Sequence, residues 1–423
     1  MKCVAFIHPT LSIEFMFRQA RQQGYKVLTI ITTLETGKID ADFIHKNSDF
    51  VITGSHLPEN DLNKVQQVIA ENNLEIVTFI NGIDSGIYYT DFMIKEVLHF
   101  PLNPAAAKIR LNKHLVNQKL EQNNITIIPG IELTSKKDFH DNMDWIKSIG
   151  FPLIMKPSEN TAAMSAFSII HKLEDIEIYI DKYLGKKNTY YSDKIIEKII
   201  LQKYICSEKF DEYALDFVSF NGKHYCRGII DYTKTIEGVN YKVDRYCRPL
   251  TINELPKLAP VINYVADCLT ALEVKYGLTH NEVFWDHNDL FYLIETNNRM
   301  AGNGILEIYD NAYGHNPLND YFNLINQQPL DNHPVHRKNY SLTLDLYNKS
   351  VDSSEKLNVY DLESFEKVIH FRIKEKVPAD FYKNYTRADH INASILLNHT
   401  SKEQLDRDVK VVLEREKNGS LFY

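Results

Sequence analysis

The sequence predicts a mixed α/β and α+β protein, with a parallel sheet at the N-terminal end, antiparallel segments through the middle and an α+β extension at the C-terminal end. Three observations carry this reading. The first hundred residues alternate short apolar runs with segments of helical period. From residue 195 the apolar runs lengthen and a tight turn joins two of them. The last ninety residues are strand-rich and close on one charged helix.

In order along the chain, "CVAFI" (3–7) is an apolar strand. "SIEFMFRQARQQG" (12–24) is a helix with Ser12 at its N-cap and Gly24 as its stop. "KVLTII" (26–31), "DFVIT" (49–53) and "EIVTFI" (75–80) are further strands, with "DLNKVQQVIAENN" (61–73) at helical period between the last two. Strands apolar on both faces and separated by helices belong to a parallel sheet covered on both sides. The loop after the first strand, "HPTLS" (8–12), lacks the G-x-G-x-x-G spacing, which disfavours a dinucleotide site there. No G-x-x-x-x-G-K-[ST] loop occurs in the chain.

"NPAAAKIRLNKHLVNQKLEQNN" (103–124) reads as one helix capped by Asn103, and "DFHDNMDWIKSIG" (138–150) as another closed by Gly150. "FPLIMKPS" (151–158) is a strand with one lysine in an apolar setting. "SAFSIIHK" (165–172) is strand-like, and "LEDIEIYIDKYL" (173–184) is an amphipathic helix. "KIIEKIILQKYIC" (194–206), "EYALDFVSFNG" (212–222) and "KHYCRGIIDYTK" (223–234) are antiparallel segments, with Asn221-Gly222 as a hairpin turn. A helix near 253–275 leads to two strands around "DHND" (286–289). The helices "NPLNDYFNLI" (316–325) and "SKEQLDRDVKVVLEREKNG" (401–419) complete the chain. The expected divisions are 1–102, 103–194, 195–330 and 331–423.

The 423 residues, 44% hydrophobic, suffice for two or three domains. A net charge of −8 gives no electrostatic case for nucleic acid as a partner, and "GKK" and "HRK" read as solvated surface. Cys3, Cys206, Cys226, Cys247 and Cys268 form no C-x-x-C pair, which suits a reducing compartment; Cys226 reads as a buried structural thiol. The start has no signal-peptide pattern and no apolar window is long enough to span a bilayer, so a cytoplasmic protein without membrane contact is expected.

The chemistry concentrates in "THNEVFWDHNDLFYLIETNNRMAGNGI" (279–305). Glu295 and Asn297 are two apart on a strand and share a face, and the short connection brings Glu282 beside them. Three oxygen donors on one face meet the requirement of Mg²⁺ for hard ligands, commonly one or two carboxylates with substrate phosphates. Arg299 has the same parity if the strand continues, and its forked donors suit a phosphate or carboxylate. The alternative is a solvent-facing strand of ordinary polar residues, against which stand the large apolar neighbours Phe284, Trp285, Phe291 and Tyr292. Lys156 is either an edge lysine that reaches water or a buried cation in need of an anion. Lys113 alone would read as a solvated helix residue. "ILQKYI" followed by "FDEYALDF" resembles a hinge whose backbone suits an adenine edge, with Glu212 placed for ribose hydroxyls or simply in a loop.

Taken as an ordered set, "NK" (112–113), "FPLIMKPS", "ILQKYI", "EYALDF", "HNEVFWD" and "IETNNRMAG" resemble the ATP-grasp superfamily of carboxylate–amine ligases. "GLTHNEV", "ETNNRMAGNGI" and "INASILLNHTSKEQLDRDV" look closest to its L-amino-acid ligase, or dipeptide synthetase, branch. The resemblance implies a Rossmann-like first domain, a small phosphate-binding subdomain, a large subdomain with hinge and metal site, and a C-terminal α+β subdomain. It implies that Lys113 and Lys156 contact ATP phosphates and that Gln202, Lys203, Tyr204 and Ile205 form the adenine hinge. Glu212 would hold the ribose, and Glu282, Glu295 and Asn297 would ligate Mg²⁺ or Mn²⁺. Arg299 would act with Lys156 in catalysis, stabilising an acyl phosphate or a substrate carboxylate. The implied partners are a small carboxylic acid and an amine, both amino acids, and the implied assembly is a homodimer. One departure is "SENTAAMSAF" (158–167), which has no glycine where relatives carry a glycine-rich phosphate loop.

His280 is a candidate base for the amine or a structural histidine. Lys242 and Arg245 either meet a substrate carboxylate or are surface residues. Two other readings are a carboxylase or formyl-phosphate-type ligase, and a nucleotide-binding protein without turnover. "HPVH" (333–336) lacks a third ligand for zinc.

Overall fold

The computed structural model describes residues 1–10, 12–34, 39–159, 166–187, 194–205, 210–237, 241–251, 253–255, 258–286, 288–330, 337–348, 356–371 and 391–423, with backbone alone at 234–237, 241–245 and 371. Cys206, residues 160–165 of the glycine-free stretch, the side chains of Lys242 and Arg245, and "HPVH" lie outside that description.

Strands β1 (Lys2–Ile7), β2 (Lys26–Ile31), β3 (Phe50–Thr53) and β4 (Glu75–Asn81) form a parallel sheet in the order β3-β2-β1-β4. β1 is apolar throughout because it is covered on both sides. Val4 and Phe6 pack with Phe15, Met16 and Phe17 of helix Ile13–Gln22, while Cys3, Ala5 and Ile7 pack with Val65, Tyr89 and Met93 of helices Pro58–Glu71 and Ile87–Leu98. Gly24 ends the first helix at φ 79° as expected. Ser12 sits at its N-cap in a left-handed conformation (φ 51°) and makes no side-chain capping bond.

The segment 103–124 is two helices, Pro104–Arg110 capped by Asn103 and Lys113–Gln122 capped by Asn112. Asn112 competes for the amides of the second helix and so breaks what the sequence reads as one. Likewise 138–150 is covered by helices Lys136–Asp141 and Met143–Ile149, which meet at Asn142.

A small antiparallel sheet contains β5 (Gly130–Leu133), β6 (Leu153–Pro157), β7 (Ser168–Ile170) and β8 (Ile199–Lys203), in the order β5-β8-β6-β7. β8 is much shorter than the segment 194–206 that the sequence suggests, and β5 has no marked strand pattern in the sequence.

The large sheet has eight antiparallel strands in the order β13-β12-β9-β10-β11-β14-β16-β15: β9 (Asp211–Phe220), β10 (Lys223–Glu237), β11 (Tyr241–Pro249), β12 (Gly277–Trp285), β13 (Phe291–Asn297), β14 (Tyr340–Leu346), β15 (Phe365–Phe371) and β16 (Ala393–His399). Asn221 (φ 50°) and Gly222 (φ 73°) turn β9 into β10, both in the left-handed region that a two-residue hairpin of this hand requires. The C-terminal strands continue this sheet, and helix Lys402–Lys417 seats Leu405, Val409 and Val412 on Leu342, Leu344 and Leu346. No helix among the described residues is long and apolar enough to cross a membrane.

The N-terminal sheet has a charge latch with a pH signature. Burial raises the Asp49 carboxyl, but hydrogen bonds from Lys26 and the Val27 amide, with Arg21 nearby, outweigh it and hold the group below its ordinary value. A carboxyl depressed in the folded state stabilises the fold above its unfolded pKa, and that contribution is lost as pH falls through the folded value. Asp49→Asn is expected to lower stability at pH 7 by about 1 kcal/mol or less, with a smaller difference at acidic pH, where the folded carboxyl takes up its proton. Urea titration at both pH values checks this; an equal deficit at both would contradict it.

Candidate functional site

Glu282 lies directly opposite Glu295, and His280 opposite Asn297, on the paired strands β12 and β13. On the other flank of β12, β9 sets Asp216 opposite His280 and Glu212 opposite Phe284. Opposed residues, and residues two apart along a strand, project to the same face. Glu212, Asp216, His280, Glu282, Glu295 and Asn297 therefore share one face of the large sheet.

Lys113, at the start of its helix, brings Nζ to 3.3 Å from Glu295 Oε2, while Asn297 Nδ2 donates to Glu295 Oε1 at 2.9 Å. Lys156 on β6 looks across from the small sheet and feels the charges of Lys113, Glu295, Glu282 and Glu212. Burial, reinforced by Lys113, lowers the Lys156 ammonium to about 8 against the pull of those carboxylates. Burial acts to raise Glu295, but Lys113, the Asn297 amide and Lys156 prevail and hold it at about 2. Behind Lys113 and Glu295 is a cavity of about 50 Å³, also lined by Asp84, Arg110 and Asn298.

Like charges directly opposite on antiparallel strands repel, so the Glu282–Glu295 pair needs cations. Ammonium groups provide them here. No cluster of three His, Cys, Asp or Glu among the described residues is arranged to hold a metal. The donors present, two carboxylates and an amide with room for phosphate oxygens, nevertheless fit a hard divalent cation that takes part of its shell from substrate.

His280 is buried with both ring nitrogens engaged: Nδ1 with Asp216 Oδ1 at 2.7 Å and Nε2 with the Tyr232 hydroxyl at 2.8 Å; Glu282 Oε1 lies 3.8 Å from Nε2. Tyr309 donates to Asp216 Oδ2 at 2.6 Å. Burial acts to lower the His280 pKa, yet Asp216 and then Glu282 raise it, so the ring keeps its proton over a wider pH range. This arrangement suits a histidine that braces the carboxylate face more than one that accepts a proton. The sequence offered a signal for Asp216, which is four residues after Glu212 on one strand and so on the same face. Nothing in it pointed to Tyr309. Gly228 makes room for Tyr309, since a Cβ there would collide with the ring and hydroxyl. Gly228→Ala is expected to cost about 1–3 kcal/mol by overpacking, read by thermal melting; an unchanged midpoint would refute the close approach.

β13 stops at Asn297, so strand parity does not place Arg299. The following loop carries it to Asp84 after β4, at 2.9 Å, and its charge is still felt at His280. Arg110, which the sequence did not flag, pairs with Asp91 in a buried contact and donates to Asn298 Oδ1 at 2.8 Å, while Asn81 Nδ2 donates to Asn298 O at 2.9 Å. The loop after β13 is thus fixed to the N-terminal sheet. Gln202 and Lys203 end β8, with the Lys203 amide bonded to Pro129 O. Tyr204 and Ile205 lead on from the small sheet toward β9.

No protein-family model matches this sequence, and no curated protein matches it. Solved structures do. An L-amino acid ligase from Bacillus licheniformis superposes with a TM-score of 0.72 at 16% identity, over 98% of each chain. N5-carboxyaminoimidazole synthetase from Staphylococcus aureus, complexed with ADP, gives 0.69 at 14% identity over 97% of each. A carboxyaminoimidazole ribonucleotide synthase from Aspergillus clavatus, complexed with ATP, gives 0.68 at 10% identity over 99% of each. Identities this low speak to architecture, and over nearly its whole length this chain carries the ATP-grasp fold.

Proposed function

We propose that this chain is an ATP-dependent carboxylate–amine ligase that joins two amino acids through an acyl phosphate, releasing ADP and phosphate. The observation that carries the reading is the directly opposed pair Glu282 and Glu295, with Asn297 beside it and Lys113 and Lys156 facing it. Segments 1–102, 103–194, 195–330 and 331–423 then correspond to the N-terminal domain, the small and large nucleotide-binding subdomains and the C-terminal subdomain.

A free carboxylate is a poor acyl donor because its leaving group would be oxide. Its oxygen attacks the γ-phosphorus, the bond to the ADP oxygen breaks, and the acid becomes an acyl phosphate. The amine nitrogen then attacks the acyl carbon. The C–O bond breaks with its electrons leaving on phosphate, and the amine loses a proton. Neither step needs an enzyme nucleophile, so this chain's part is positioning and charge neutralisation. Lys113 and Lys156 hold the phosphates. Gln202, Lys203, Tyr204 and Ile205 border the adenine, and Glu212 takes ribose hydroxyls. Glu282, Glu295 and Asn297 would hold Mg²⁺ or Mn²⁺, which when bound would neutralise phosphate charge. Arg299 meets the acyl-phosphate side, exchanging its Asp84 contact for the substrate anion.

Carboxyaminoimidazole synthases superpose almost as well as the amino-acid ligase, which keeps a carboxylase reading in view. A coupled ADP-release assay over pairs of the common amino acids, with bicarbonate and formate as further acids and mass spectrometry of products, decides. ADP release dependent on two amino acids, with a dipeptide mass, is expected. Dependence on bicarbonate or formate alone would replace the reading, and ATP binding without turnover would overturn it.

A further inference from the structure

The two lysines that face the carboxylate pair stand on different elements, one on a helix and one on the small sheet, and a single buried side chain ties these together. Asn112 has no exposed surface. Its Oδ1 accepts from the amides of His114 at 2.8 Å and Leu115 at 2.9 Å, which starts the helix that carries Lys113. Its Nδ2 donates to Glu132 Oε1 on β5 at 3.0 Å and to Glu159 Oε1 at 2.8 Å. Both amide hydrogens and both lone pairs are thus used, as a buried amide requires.

Glu159 stands three residues after Lys156, where the chain leaves β6. The Lys113 amide also donates to Ser158 O at 2.9 Å, and the Ser158 amide to Lys198 O at 3.0 Å. Lys198 Nζ, 3.6 Å from Glu132 and 3.9 Å from Glu159, balances the two carboxylates. A helix cap alone needs only the oxygen of Asn112. Its nitrogen adds a bridge between two carboxylates that would otherwise repel, one on the sheet and one on the segment that follows Lys156.

Resting on the ligase reading, we propose that Asn112 is a positioning residue for nucleotide binding: it fixes the separation of Lys113 and Lys156 by bonding the helix of the first to the chain that follows the second. Pre-setting two cations lowers the ordering cost that the nucleotide would otherwise bear. Two partners in this device, Ser158 and Glu159, begin the very segment that lacks glycine.

The test uses the full chain, with ADP and Mg²⁺ titrated by calorimetry and KM measured for ATP and for the amino acids. Asn112→Ser keeps a capping oxygen but loses both donor bonds. Asn112→Asp keeps the cap and places a third carboxylate beside Glu132 and Glu159. Both are expected to weaken ADP binding tenfold or more and to raise KM for ATP alike. KM for the amino acids should stay within about threefold, a split that a general loss of stability would not give. The exchange Asn112→Asp with Glu159→Gln restores one bond with donor and acceptor reversed, and is expected to recover at least half of the lost affinity on a logarithmic scale. A folded Asn112→Ser chain with wild-type ADP affinity, equal loss for ATP and amino acids, or failure of all three variants to fold would each overturn the proposal. A wild-type chain that binds no ADP would instead overturn the ligase reading.

Discussion

Glu295→Gln is expected to reduce ADP release by about a thousandfold or more while leaving the fold intact, the scale on which loss of one transition-state charge contact is felt. The substitution keeps the shape of the side chain and an acceptor for Asn297, and removes only the charge. That charge lies 3.3 Å from Lys113 Nζ and pulls on the buried Lys156 ammonium. Because the folded carboxyl titrates near 2, below its unfolded value, it is ionised at every working pH. Its charge stabilises the fold above the unfolded pKa, and that contribution fades as pH falls toward 2. In the variant Glu282 stays without its opposed partner, and the two lysines face one carboxylate fewer. Kinetics with circular dichroism on the same sample decide the matter: ADP production like that of wild type in a folded Glu295→Gln chain would remove the metal assignment.

Arg110→Ala is expected to lower stability by about 3–5 kcal/mol, the scale for breaking a buried ion pair from one side. The side chains of Arg110 and Asp91 are 2% and 5% exposed, so loss of the guanidinium leaves a carboxylate that water cannot reach. It also leaves Asn298 Oδ1 without this donor. Asn298 stands between Asn297 and Arg299, and turnover should therefore fall together with stability. Replacing the pair by Arg110→Met with Asp91→Leu is expected to recover most of the stability, since no unpaired charge remains buried. Urea unfolding of the three chains tests this. A single variant within 1 kcal/mol of wild type would show that the pair is not the fastening it looks to be.

Much of the fold could be read from the residues because it follows from local periodicity. The apolar runs of β1, β2 and β4 and the Asn221-Gly222 turn announce themselves within a few residues, as does the Glu-x-Asn spacing of β13. At two helix breaks a side chain competes with the backbone at short range. Asn112 and Asn142 split what periodicity presents as single helices. Ser12 stands where a cap belongs and does not cap.

The sequence by itself determined which residues share a parity along each strand, because side-chain alternation is a property of one chain segment; Glu295 with Asn297 and Glu212 with Asp216 follow from it. Only the tertiary structure decided what faces those residues. Register set Glu282 against Glu295, a separate sheet brought Lys156 within reach of their charges, and a loop carried Arg299 to Asp84. These are pairings between segments distant in sequence, selected by burial of the apolar faces on either side and not by any local preference of the residues they bring together.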